Sequence, residues 1–183
     1  MIYFISDTHF NHSNIINLNN RPFTSLNHMH QTLITNWNAY ITDYDEVYIL
    51  GDFSYKGTVE ETTKVLKQLK GQKYLIIGNH DTYLADDNFD KSLFKWIKDY
   101  YILDYKGQKF VLFHYPILEW QGFFTGAIHL YGHVHNCTKH PEQQARLEIL
   151  GPRAFNVGVD VNNFFPVSIN DILNKANNEE TLF

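Results

Sequence analysis

The sequence predicts an α/β fold built as a single domain over residues 1–183, and three observations predict it. Short apolar runs that read as strands alternate with stretches of helical periodicity along the chain. Carboxylates, amides and imidazoles gather just after several of the strand-like runs, three times beside a glycine that permits a sharp turn. The 183 residues, 44% hydrophobic, supply one good core, and no shift in composition marks a linker or a repeat.

Composition also excludes some functions. With 19% charged and 16% aromatic residues, the chain does not have the make-up of a disordered segment. A net charge of −5 argues against a broad basic face for nucleic-acid backbone, though a local basic groove stays open. Cys137 is the single cysteine, so no internal disulfide forms and a reducing, cytoplasmic location is expected. The opening Met1–Ile5 has no basic flank and is too short for a signal or a membrane span, so no membrane partner is expected.

Taken in order, Ile2–Ile5 is the first strand-like run, followed by Ser6-Asp7-Thr8-His9. Asp7 and His9 are two apart, so in extended chain their side chains share a face and can converge on one ion. An imidazole among the ligands favours Mn²⁺, Fe or Zn²⁺ over Ca²⁺. His12 and Arg21-Pro22-Phe23 lie in the polar segment that follows. The Arg21 guanidinium is suited to a bidentate grip on phosphate, or is a surface arginine.

Leu26, Met29, Leu33, Trp37, Tyr40 and Ile41 recur at helical spacing behind a Thr24 or Ser25 cap, with His28 and His30 solvated or capping. Val47–Leu50 is the second strand-like run and leads into Gly51-Asp52. Thr58 and Glu61 have capping-box spacing, opening a helix that turns Val59, Val65, Leu66 and Leu69 inward and stops at Gly71. Lys64, Lys67, Lys70 and Lys73 form a solvated face.

Tyr74–Ile77 is the third run and ends in Gly78-Asn79-His80-Asp81. Here a carbonyl ligand, an imidazole that can move a proton near neutral pH and a carboxylate able to hold that imidazole in one tautomer stand side by side. Asp90–Lys98 reads as a short helix carrying Leu93, Phe94 and Ile97. Tyr100–Asp104 and Phe110–Phe113 read as strands around a Lys106-Gly107 turn, the second ending at His114.

Glu119–Gly126 is either a loop shaping a pocket or a packed connection. Ile128–Tyr131 runs into Gly132-His133-Val134-His135, and two histidines at i and i+2 after a strand form a specific metal pattern. Cys137 reads as a small hydrophobe rather than a ligand. Phe155–Asp160 is the last strand-like segment, and Ser168 with Asp171 opens a helix whose inward face is Ile169, Ile172, Leu173 and Ala176. The tail from Asn177 is expected to fray.

Five runs therefore end in potential ligands: Asp7 with His9, Asp52, Asn79 with His80, His114, and His133 with His135. In an α/β sheet the site lies beyond the carboxyl ends of the strands. Asp7, His9, Asp52, Asn79, His114, His133 and His135 are too many for one tetrahedral ion with an open position and suit two ions sharing a carboxylate. The chain has no Walker loop, no His-Glu-x-x-His and no Gly-x-Ser-x-Gly.

The ordered set Asp7-x-His9, Gly51-Asp52, Gly78-Asn79-His80-Asp81, His114 and Gly132-His133-x-His135 resembles the calcineurin-like metallophosphoesterase superfamily. Asn11-His12, Arg21–Phe23 and Asn156–Asp160 further resemble a small bacterial and phage-type subgroup. The resemblance implies a four-layered α/β/β/α sandwich of two facing mixed sheets flanked by helices.

It also implies two divalent or transition-metal ions: Mn²⁺ first, with Fe, Zn²⁺ or Ni²⁺ as alternatives. One ion is held by Asp7, His9, Asp52 and His135, the other by Asp52, Asn79, His114 and His133. His80, oriented by Asp81 and joined by Arg21, acts on the substrate. The implied reaction is hydrolysis of a small phosphomonoester or phosphodiester, a nucleotide among the candidates, by attack of a metal-bridging hydroxide. No cap domain is expected, which leaves selectivity to the loops at 21–23, 115–124 and 162–165. A nuclease and a non-catalytic scaffold of the same fold are the alternatives.

Overall fold

The protein is described here from a computed structural model covering residues 1–136 and 141–180. In chain order the elements begin with β1 (Ile2–Ile5), α1 (Ile15–Leu18), α2 (Leu26–Tyr40), β2 (Glu46–Leu50), α3 (Val59–Gln68) and β3 (Gln72–Ile76). They continue with β4 (Ile97–Lys98), β5 (Tyr100–Tyr105), β6 (Gln108–Phe113), β7 (Ile128–Tyr131), α4 (Pro141–Glu148), β8 (Ala154–Asn156), β9 (Val167–Ser168) and α5 (Ile169–Glu180).

The strands divide into two mixed sheets, in the orders β4-β3-β2-β1-β9 and β5-β6-β7-β8. β1 to β4 are parallel and β9 closes that sheet antiparallel to β1. In the second sheet β6, β7 and β8 are parallel and β5 forms an antiparallel hairpin with β6.

Strand alternation explains the sandwich. Phe4, Tyr48, Leu50 and Ile76 on one face of the first sheet join Phe110, Leu112, Ile128 and Leu130 of the second in a shared core. Their chain neighbours Ile5, Val47, Ile49 and Leu75 face the other way and pack with Met29, Leu33 and Trp37 of α2 and with Val65 and Leu66 of α3. Both faces of the central strands are covered, which is why they read as continuous apolar runs. Ile169, Ile172 and Ala176 of α5 enter the core between the sheets. The four-layered sandwich of two mixed sheets with flanking helices is the architecture found.

The caps follow the sequence. Ser25 Oγ accepts the His28 N–H at 3.1 Å, and Thr58 with Glu61 forms a complete capping box. Glu119–Gly126 is a packed connection: buried Trp120 lies with Val111 and Ala127 and donates its indole N–H to the Ala127 carbonyl at 3.0 Å.

Some expectations are corrected. Residues 90–98 do not form a helix, because Ile97–Lys98 pairs with β3 and only Lys91–Leu93 makes a short 3₁₀ turn. Leu93, Phe94 and Ile97 are too few to define a helical face against that pairing. His30 is half-buried and does not cap: its Nε2 accepts the Asn11 N–H at 2.8 Å. The tail is helical from Asn177 to Glu180, while its last residues, 181–183, and Cys137 lie outside the described residues.

Candidate metal centre

The parallel strands of both sheets deliver their carboxyl ends to one edge of the sandwich, and the predicted ligands follow those ends. Asp7, His9 and His135 bring one donor atom each to within 4.8 Å of one another, and so do Asp52, His114 and His133. Asn79 joins the second group, its Oδ1 standing 3.1 Å from His114 Nε2 and 3.0 Å from His133 Nδ1. Asp52 Oδ2 lies 3.5 Å from His9 Nε2 and 3.5 Å from His114 Nε2, so one oxygen faces both groups.

Local backbone is bent to this purpose. Asp7, His9, Asp52, His133 and His135 all have positive φ, between 48° and 70°, a conformation that costs a non-glycine residue roughly 1–3 kcal/mol. Gly78 and Gly132 allow the close approach of neighbouring strand ends. A Cβ on Gly78 would strike the Asp52 amide and carboxylate, and one on Gly132 would strike Ser6 Oγ and Asp7 Oδ2.

Each histidine that aims Nε2 into the site has its other nitrogen engaged. His114 Nδ1 donates to the Leu50 carbonyl at 2.7 Å, and His135 Nδ1 meets Asp160 Oδ2 at 2.7 Å. His9 Nδ1 faces His12 Nδ1 at 3.4 Å, while its Nε2 is buried with no hydrogen-bond partner among the described residues. Such orientation of the ring by a partner behind it is usual for metal-ligating histidine.

At His9, His133 and Asp52 the electrostatics favour the same use. Burial holds His9 down at about 2 and, with the charge of His114, keeps His133 below the ordinary histidine range; both are neutral imidazoles, the ligating form. Burial pushes Asp52 up, but hydrogen bonding and charge from His114, the charge of His9 and the His80 N–H outweigh it and hold Asp52 at about 2. An orphaned buried ring nitrogen, convergent O and N donors and strained ligand backbone together fit divalent metal ions.

Two side chains serve otherwise than the sequence suggests. Arg21 was expected to clamp phosphate, yet its side chain is wholly buried and its donors are committed. Nε and one amino group grip Asp160 at 2.8 and 2.9 Å, and the amino groups also bond the carbonyls of Asp7 at 2.7 Å and Thr8 at 3.0 Å. Asp81 does not orient His80. Its carboxylate accepts the N–H groups of Gly78, Asp52 and Phe53 at 2.8–2.9 Å and ties two strand-end loops together.

His80 keeps its expected neighbourhood. Its N–H bonds Asp52 Oδ1 at 2.8 Å, and its ring lies edge-on to Tyr55 at 4.7 Å and 5.4 Å from His9. No individual role is expected from the sequence for Asp160, Tyr55 or Tyr115, whose hydroxyl is 3.4 Å from Asn79 Oδ1. Tyr115 opens the loop at 115–124 and Asp160 closes the Asn156–Asp160 segment, the two indications that the sequence carries.

Comparison with known proteins agrees. Residues 1–159 match the model of the calcineurin-like phosphoesterase superfamily domain. An uncharacterized protein of Methanocaldococcus jannaschii is 36% identical over 176 residues, covering 94% of this chain and 89% of that one. The gene 66 protein of Mycobacterium phage D29 is 29% identical over 184 residues, covering 87% of each chain. The crystal structure of an Aquifex aeolicus protein of unknown function has a TM-score of 0.71 at 30% identity, over 95% of this chain and 98% of that one. None of the helices in the described residues is long and apolar enough to cross a membrane. With its strand-end candidate ligands in two groups and the family model spanning residues 1–159, this chain belongs to the calcineurin-like phosphoesterase superfamily.

Proposed function

We propose that the chain hydrolyses small phosphoesters, nucleotides among them, at a centre of two ions, Mn²⁺ being preferred. The position of Asp52 Oδ2, 3.5 Å from a histidine of each cluster, is the observation that carries this reading. A donor set of carboxylate, amide and imidazole without thiolate suits Mn²⁺. Two ions, when bound, supply the charge that activates water and polarises a phosphoryl group.

In this reading the chain itself contributes position and protons. Asp52 lies between the clusters, and the N–H bonds to Asp81 hold its loop against that of Asn79. With Arg21 buried, the substrate-directed role falls to His80, which donates to an equatorial phosphoryl oxygen or protonates the departing oxygen. The net charge of −5 supports small substrates over a nucleic-acid backbone.

A Mn²⁺-supplemented screen of monoesters, linear diesters, cyclic nucleotides and short oligonucleotides tests the function. Turnover of the small esters with two ions per chain is expected. Turnover confined to oligonucleotides makes the protein a nuclease, and no turnover with both ions bound makes it a scaffold. Within the active series, His80→Gln separates the two roles of His80. As general acid, its loss slows alkyl or nucleoside esters by about 10²–10⁴-fold and nitrophenyl esters much less. Equal losses on both, with ion content measured on the same sample, leave His80 as a charge stabiliser only.

A further inference from the structure

We infer that the buried Arg21–Asp160 pair presets the Asp7–His9–His135 cluster, so that this cluster takes its ion first and holds it more tightly than the other. The inference rests on the two-ion reading above.

The pair is placed to act on two ligands at once. Asp160 accepts from Arg21 with both oxygens, and Oδ2 also meets His135 Nδ1 at 2.7 Å. That contact keeps the proton of a neutral His135 on Nδ1 and turns Nε2 toward Asp7 and His9. On its other edge the guanidinium bonds the carbonyls of Asp7 and Thr8, the peptide groups between the positive-φ residues Asp7 and His9. One planar cation thus spans the end of β1 and, through Asp160, the loop after β7.

Both side chains are almost fully buried, at 0% and 2% exposure. A buried ion pair is a poor source of stability in itself, because desolvation offsets the attraction. Holding ligands in their ligating geometry is a different use, and every donor of Arg21 is spent on it except a 3.5 Å contact to the Met29 sulfur. Among the described residues the second cluster has no such ion pair behind it; Asp81 ties its loops through backbone N–H groups instead. Asn79 is exposed, and among the described residues its Oδ1 meets the His114 and His133 rings and the Tyr115 hydroxyl.

The test is calorimetric titration of metal-free protein with Mn²⁺, with ion content by elemental analysis. Wild type is expected to show a tight and a weak step. Two variants probe the pair: Arg21→Lys, which keeps the charge but not the fork, and Arg21→Met/Asp160→Leu, which removes both charges together. Circular dichroism and urea unfolding of the metal-free proteins establish that each is folded.

The tight step is expected to weaken by about ten- to a hundredfold in the double variant and less in Arg21→Lys, with the weak step unchanged. Folded variants with both steps as in wild type, or with the weak step lost instead, overturn the inference and leave the pair as packing. Should the double variant not fold, Arg21→Lys decides alone by the same criteria. A wild type that takes up only one ion defeats the two-ion reading itself, and is distinguished by needing no variant.

Discussion

The two clusters are held by different means. Behind Asp7, His9 and His135 stand side chains: His12 against His9, and Asp160 with Arg21 against His135 and the Asp7–Thr8 backbone. Behind Asp52, Asn79, His114 and His133 stands mostly main chain: the Leu50 carbonyl on His114, the His80 N–H on Asp52, and three N–H groups gathered by Asp81. The first cluster is buried and pre-shaped. The second is open at Asn79, where Tyr115 leans on the His133 ring at 4.6 Å. Under the proposed two-ion function, a site that keeps its ions and admits a substrate has reason to divide the tasks in this way, with one group rigid and the other reachable.

Asp52 is where the comparison is most easily broken. Its Oδ2 faces both clusters, so Asp52→Asn removes a charge from each, whereas Asn79→Ala removes one neutral ligand from the second. Asp52→Asn is expected to cost activity well beyond the roughly hundredfold typical of a residue behind a ligand, and to weaken both ion steps. Asn79→Ala is expected to weaken only the loose one. Equal ion stoichiometry and affinity in the two variants would remove Asp52 from its shared position.

The next effect contrasts two buried histidines, one inside a cluster and one outside. His129 on β7 and His114 at the end of β6 are both fully buried, and each meets a main-chain carbonyl with Nδ1. Their titrations run in opposite senses. Burial opposes the charge on His114, but Asp52 and Asp7 outweigh it and its pKa is raised. Burial holds His129 down at about 4, against the carbonyls of Val111 and Tyr115.

The linkage follows from these signs. A raised histidine stabilises the metal-free fold below its unfolded pKa of about 6.5, and that gain is lost as pH rises through the folded value. A lowered one does the reverse, so the stability associated with neutral His129 is full above about 6.5 and is lost as pH falls toward 4. For His129 this is roughly 3 kcal/mol by pH 4. Urea unfolding in chelator from pH 7.5 to 4 should show an acid-side loss larger by about that amount in wild type than in His129→Gln. Parallel profiles for the two proteins would show that His129 is not held neutral.

The residues that converge were legible in the sequence because each follows an apolar run and sits near a turn, and chain position alone puts such residues at strand ends. What braces them was not. Arg21 and Asp160 are 139 residues apart, and nothing local distinguishes a guanidinium destined for a buried carboxylate from one that meets phosphate. Asp81 misled by adjacency: it follows His80 directly, but its oxygens are taken by three backbone N–H groups that no residue pattern announces. The positive φ of Asp7, His9 and Asp52 was equally hidden, since these residue types suit a ligand role in any conformation. The central strands were readable from their apolar runs. The sorting of strands into two sheets was not, because it depends on pairings such as β1 with β9 across nearly the whole chain.

The smallest expected effect tests the packing that holds the clusters apart. Gly132 lies where β7 ends against Ser6 and Asp7, and a methyl group there meets Ser6 Oγ and Asp7 Oδ2. Asp7 cannot simply retreat, since both of its oxygens accept the His133 N–H, at 3.0 and 2.9 Å, and its carbonyl is held by Arg21. Gly132→Ala should therefore cost about 1–3 kcal/mol, the usual range for overpacking. It should also disturb the first cluster, through Asp7, without touching Asn79. Gly78→Ala meets Asp52 instead, and should cost a similar amount of stability while weakening both ion steps. Urea midpoints of the metal-free variants measure the first effect, and Mn²⁺ titration measures the second. If Gly132→Ala keeps the tight step at wild-type affinity, Asp7 is not fixed by its packing against Gly132, and the rigidity assigned to the first cluster has to come from Arg21 and Asp160 alone.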